Sequence, residues 1–150
     1  MKAKVRSYRD LVAWQLAYAL GLEVHRIART MPTGESFGLG SQLRRNAISV
    51  ASNIAEGYGR GARGDYLRFL RVSRGSIYEM DTQLLFARDL QLLDDSTYAR
   101  TKAMLDESER VLAALIRSLE RTKPVDPTTT HASSFDRAQP FQDPPADPLA

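Results

Sequence analysis

Seven arginines, Arg44, Arg45, Arg60, Arg63, Arg68, Arg71 and Arg74, fall within 31 residues whose only acids are Glu56 and Asp65, a local charge of +5. A guanidinium presents a planar fork of donors that matches phosphate, so such a cluster points to nucleic acid. Arg60 and Arg63 lie in the run Gly57-Tyr58-Gly59-Arg60-Gly61-Ala62-Arg63-Gly64, directly before a helical segment. Free N–H groups at that helix start beside two guanidiniums would make a phosphate seat. Arg68, Arg71 and Arg74 recur at steps of three, which makes one helix face basic. The bland counterpart is a solvated face neutralised by acids on neighbouring helices. Lys2, Lys4, Arg6 and Arg9 add a basic arm beside this face.

Other constellations carry less chemistry. Gly59-x-Gly61-x-x-Gly64 matches the dinucleotide fingerprint in letters, but that device needs a preceding strand inside a βαβ unit. Here a helix precedes it, so a helix–helix turn is the better reading, and no Gly-Lys-Ser/Thr phosphate loop occurs. Ser49, Asn53 and Glu56 share one helix face, and Ser76 and Glu79 share another. If those helices are neighbours, the five form a polar layer that fixes register, with Gly75 allowing close approach and Arg44 or Arg45 pairing Glu79. No nucleophile or orienting histidine completes a catalytic set, so no enzymatic activity is expected. Neither His25 nor His131 has a glutamate three residues earlier, which a bundle di-metal site requires, so no metal or other cofactor is expected. Cysteine is absent, excluding disulfides and thiolate metal sites and suiting a reducing compartment. Of the aromatic residues that could stack on bases, Tyr58 in the Gly-Arg turn is the one expected to be exposed.

Four amphipathic segments must position these groups. The first runs over about 8–30, with Ser7 and Asp10 as a capping pair and Met31-Pro32 as its stop. The second runs over about 40–56, with a small-sided apolar face of Leu43, Ala47, Val50, Ala51 and Ile54, and Gly57 at the left-handed position that ends it. The third spans about 65–90, its apolar residues from Tyr66 to Ala87 stepping by three and four. The fourth spans about 96–121 with the seam Tyr98, Thr101, Leu105, Ser108, Leu112, Leu115 and Leu119. Strand-like alternation is missing. Four helices of similar length with short links make an all-α, antiparallel up-down four-helix bundle. Second stripes on the first helix (Leu16, Leu20, Val24) and the fourth (Met104, Val111, Ile116) leave two readings open, surface spare for self-association or a thick single core.

The chain has 150 residues with 43% hydrophobic and 26% charged, enough to close one core at this length. Six of seven prolines fall within 124–150, beside Thr and Ser clusters and without hydrophobic period. That segment reads as a disordered Pro/Ser/Thr-rich tail after a bundle domain over 1–123. It has one base, Arg137, against Asp126, Asp136, Asp143 and Asp147, a net of −3, so the +3 of the whole chain hides +6 on the body. The N-terminus lacks the apolar core of a secretory signal and no run of 18 apolar residues occurs, so membrane contact is not expected and cytoplasm is the default location.

From 35 to 79 the sequence carries a specific pattern: Glu35-x-Phe37-Gly38-Leu39, Gln42-Leu43-Arg44-Arg45, Ser49-Val50, Asn53-Ile54-Ala55-Glu56-Gly57, then Tyr66, Phe69-Leu70 and Gly75-Ser76-x-x-Glu79. With Leu11-x-x-Trp14 and the turn from Pro32 to Glu35, it resembles the bacterial 23S rRNA intervening-sequence family, also called S23 ribosomal proteins, over about 7–120. Asn46 departs from it: the family usually has Ala there, and the position is expected to face outward. The resemblance implies a four-helix bundle, assembled as a homopentamer, with no known enzymatic activity. It also implies, through a related retroelement accessory bundle, nucleic acid (RNA or DNA) and a protein such as a reverse transcriptase as partners. The expected function is therefore a non-enzymatic oligomer offering a basic surface to nucleic acid, the alternative being a protein–protein adaptor. Were all seven arginines engaged, the salt slope on single strands would approach about −5.

Overall fold

The computed structural model describes residues 3–34 and 38–121. The expectations for Lys2, Glu35, Phe37, His131 and the tail fall outside these residues. Among them the chain forms a 3-10 turn, Tyr8–Asp10, and four helices: α1 (Val12–Thr30), α2 (Leu39–Gly59), α3 (Arg63–Asp89) and α4 (Asp95–Arg121). Each helix packs on its neighbours in the chain and α1 also packs on α4, while the diagonal pairs do not form comparable seams. The result is an antiparallel up-down bundle with one core.

Local chemistry sets the boundaries. Ser7 and Asp10 form a reciprocal capping box, but on the short 3-10 turn, because Leu11 is extended and starts α1 afresh. Asp94 Oδ1 accepts from Thr97 N at 2.6 Å and so caps α4. Gly57 does not end α2 in a left-handed conformation. It lies inside the helix, buried, where an added Cβ would stand 2.8 Å from Phe69 Cβ and 3.2 Å from the Tyr66 carbonyl. The glycine at positive φ is Gly61, in the α2–α3 turn.

The core is built from Leu20 and Val24 on α1, Leu43, Val50 and Ile54 on α2, Leu70, Ile77, Met80 and Leu84 on α3, and Leu105, Leu112 and Ile116 on α4. The second stripes of α1 and α4 are absorbed here: Leu20, Val24 and Ile116 are buried and Met104 and Val111 pack against the cluster. The thick-core reading holds for these residues, while Leu16 of the first stripe is half-buried and stands outside the cluster. Apolar surface is exposed elsewhere, on Tyr18 (50%), Leu22 (47%) and Ile48 (57%) along α1 and α2, on Val72 and Phe86 of α3, and on Leu90 just after it. Among the described residues no helix is long and apolar enough to cross a membrane.

Candidate nucleic-acid interface

The polar layer expected between α2 and α3 is present in part. Ser49 Oγ and Ser76 Oγ are 2.9 Å apart across the seam, and Asn53 Nδ2 donates to Ser49 O at 2.8 Å and to its Oγ at 3.0 Å. Ser73 Oγ, beside them, donates to Val50 O at 2.8 Å. Each buried hydroxyl here has a partner, which removes the penalty of stranding it in a dry seam. Glu56 and Glu79 stay outside: both are exposed, and Glu56 pairs with Arg60 at 2.8 Å instead. Gly75 is exposed with nothing within 4 Å of an added Cβ, so the close approach is made by Gly57. Asn46 is the larger correction. It is buried, 8% exposed, and its Nδ2 donates to Gln83 Oε1 at 3.0 Å, so the residue that departs from the family pattern faces α3, not solvent.

The seven arginines are not one face. Arg44 and Arg45 sit in the first turns of α2, about 24 Å along its axis from Arg60 at 1.5 Å per residue. Arg71 pairs with Glu120 at 2.8 Å and Arg74 with Glu109 at 3.2 Å, so α4 supplies acids to the α3 face. Arg74 Nε also donates to Tyr78 Oη at 2.8 Å, and these contacts raise its pKa, the Tyr78 bond foremost. Arg63 turns from its own helix start to the far end of α4, where Nη1 donates to Leu119 O at 3.4 Å. A cation there also suits the negative end of the α4 dipole.

Two guanidiniums are held differently. Arg60 and Arg68 lie over the ring of buried Phe69, 5.0 and 4.7 Å from its centroid, which places the two charges within about 10 Å of each other. Their acidic partners are local, Glu56 for Arg60 and Asp65 for Arg68 at 3.4 Å, and the arginine side chains remain 45% and 48% exposed. Exposed pairs of this type contribute at most about 1 kcal/mol, so a phosphate can displace them. The ring restrains both long side chains.

Around this pair gathers a charged end of the bundle. The 3-10 turn packs on α2, Tyr8 and Trp14 share a groove with Ser52 and Ala55, and the Arg63–Leu119 bond joins the start of α3 to the end of α4. Among the described residues, Lys4, Arg6, Arg9, Arg60, Arg63, Arg68, Arg71, Arg117 and Arg121 therefore share one end with Asp10, Glu56, Asp65 and Glu120, nine bases against four acids. The signal for Arg117 and Arg121 was present in the fourth helix but belonged to no local cluster. The α3 start there has no side-chain cap: Ala62 occupies the capping position. Tyr58 is half-buried, its ring edge-on to Tyr66 at 6.2 Å, so it is not the exposed stacking residue expected. Tyr66 Oη is buried, and desolvation pushes its pKa up to about 12.

A second surface lies on the side. Trp14 stacks on Tyr18 at 5.0 Å and meets Tyr8 edge-on at 5.2 Å. They wall a groove of about 410 Å³ between α1 and α2, floored by Ala17, Gly21, Ala47, Ala51 and Ala55, with Leu22 and Ile48 on its rim. His25 lines it too, half-buried; its Nδ1–H donates to Gly21 O at 2.9 Å, since a carbonyl can only accept.

The family model of the 23S rRNA-intervening sequence protein matches residues 9–114. The chain belongs to this family. A crystal structure of a protein of unknown function from the S23 ribosomal protein family of Bacteroides thetaiotaomicron is similar at a TM-score of 0.67 and 16% identity, covering 71% of this chain and 96% of that one. At that identity the likeness speaks for the fold. No curated protein matches the sequence. The family match covers α1, α2, α3 and most of α4, so the bundle of this intervening-sequence protein is the part shared with its relatives.

Proposed function

We propose that this intervening-sequence protein is a non-enzymatic, cytoplasmic bundle that contacts RNA or another nucleic acid through the basic end, with Arg60 and Arg68 as the principal phosphate contacts. The observation that carries the reading is the pair of guanidiniums set over Phe69 at the end where nine bases meet four acids. Affinity comes from Arg–phosphate contacts with little reading of base identity, since no RNP1 or GXXG element occurs. Engagement of Arg60, Arg63, Arg68 and Arg71 gives a salt slope near −3 on single strands, at about −0.7 per phosphate. A titration against structured RNA over a range of salt tests this. A slope near zero, or binding unchanged when the four are replaced by glutamine together, overturns it. Arg44 and Arg45, at the other end, contribute less.

The reading includes self-association through the α1–α2 groove, where Tyr18, Leu22 and Ile48 leave apolar surface in water. A pentamer is the state expected from the family resemblance. Light scattering of the intact chain at 16.8 kDa per protomer distinguishes a monomer from a ring, and Ile48→Glu lowers the mass of an assembly built on this groove. The same groove favours a second reading, a protein–protein adaptor without nucleic-acid contact. A specific protein retained on the bundle after nuclease treatment of an extract, together with a flat salt titration, selects that reading.

A further inference from the structure

Two exposed apolar features of the bundle have opposite shapes. The α1–α2 groove is a hollow floored by alanine and glycine, with Ile48 on its rim. Phe86 near the end of α3 and Leu90 just past it form a ridge, 58% and 59% exposed. They lie on different sides of the molecule, since α3 stands diagonal to α1. We infer that the ridge of one copy docks into the α1–α2 groove of a second copy, with Phe86 between the Trp14–Tyr18 wall and Ile48. The inference rests on the self-association reading above and names what fills the groove.

Shape is the first argument. A hollow is filled at protein density by something that protrudes, and two hollows set face to face leave voids. Phe86 and Leu90 are four residues apart and so project together. A phenyl ring entering beside Trp14 and Tyr18 also gains edge contacts with their stacked rings. Charge is the second argument. Arg29 follows His25 by one turn, Arg45 precedes Ile48 by one turn, and both are exposed and make no ion pair among the described residues. The ridge is flanked instead by acids. Glu79 lies two turns before Phe86 on the same side of α3, and Asp89 lies one turn after it, both exposed. The base nearby, Arg88, is engaged by Asp89 and lies over the Tyr98 ring at 4.6 Å. A groove meeting another groove would set Arg29 and Arg45 against their own copies, whereas the ridge brings carboxylates to them. Because groove and ridge are different surfaces, the contact is head to tail, and each copy offers one of each.

Two substitutions in the full chain separate the surfaces. Ile48→Glu spoils the groove and Phe86→Glu the ridge, each weakening association by about tenfold or more by placing a carboxylate in an apolar contact. Both side chains are more than half exposed, so the bundle keeps its fold in either variant. Light scattering is expected to show an assembly for the parent and 16.8 kDa for each variant alone. Mixed in equal amounts, the variants form a species of twice that mass and no larger, because one intact groove meets one intact ridge. A single variant that still assembles, a mixture that stays monomeric, or a mixture that regains the parent's mass overturns the docking while self-association stands. A monomeric parent overturns the self-association reading itself, and the docking with it.

Discussion

The two turns that join α3 to its neighbours are built from opposite materials. The α3–α4 turn spends its residues on structure: Leu92 N–H donates back to Ala87 O at 2.8 Å, Leu93 is buried, Gln91 takes the left-handed conformation at φ 60°, and Asp94 caps the next helix. The α2–α3 turn has glycine at positive φ, an uncapped helix start at Ala62, and arginines on either side. One turn satisfies its own backbone and the other leaves donors and charge pointing outward. A turn that forgoes a cap worth about 1 kcal/mol while collecting cations is the one on which the proposed nucleic-acid contact rests.

Breaking the packing under the charged turn gives the largest effect. Gly57→Ala puts a Cβ 2.8 Å from Phe69 Cβ, which is tied to the α3 backbone and cannot retreat. Urea denaturation is expected to show a loss of about 2 kcal/mol, even though alanine gains about 1 kcal/mol over glycine in helix propensity. Ala62→Ser supplies the missing cap at an extended residue already suited to it and raises stability by about 0.5–1 kcal/mol, again by denaturation. If stability falls instead, the turn is not an uncapped helix start. In the other turn, Gln91→Gly removes a Cβ from the left-handed region and raises Tm, by about 0.5 kcal/mol of stability after the entropy gained by the unfolded chain is subtracted.

The smallest effect is confined to acid. The Thr97 N–H holds the Asp94 carboxyl below its ordinary value of 3.8. Its folded pKa is lower than its unfolded one, so its contribution is complete above that value and is lost as pH falls through the folded pKa. Thermal melts of Asp94→Asn between pH 5 and acid are expected to be less pH-dependent than those of the parent.

Periodicity made the four helices readable, because apolar steps of three and four persist over 19 to 27 residues in each. The larger differences share a cause: each turned on a residue of another helix. A glycine at a helix end serves equally as a left-handed terminator or as a point of contact, and Phe69 decides which for Gly57. Asn46 is buried because Gln83 on α3 meets its amide. For Arg71 and Arg74 the bland reading holds, since α4 brings Glu120 and Glu109 to them. Local spacing found the arginines of the charged end, while α4 and the 3-10 turn, distant in sequence, completed it.

The seams of the bundle differ in sequence distance, and this orders how it assembles. Three of the four join helices separated by a short connection, so their contacts close small loops and form early. The α1–α4 seam joins the two ends of the fold, and across it Arg100 grips the buried Glu23 carboxylate, 2.9 Å from Nη2, while Arg26 holds its other oxygen. Folding therefore ends with that seam, and partial opening begins there. Amide hydrogens of α1 and α4 are then exchanged for deuterium sooner than those of α2 and α3, whose polar layer stays shut until the whole bundle comes apart.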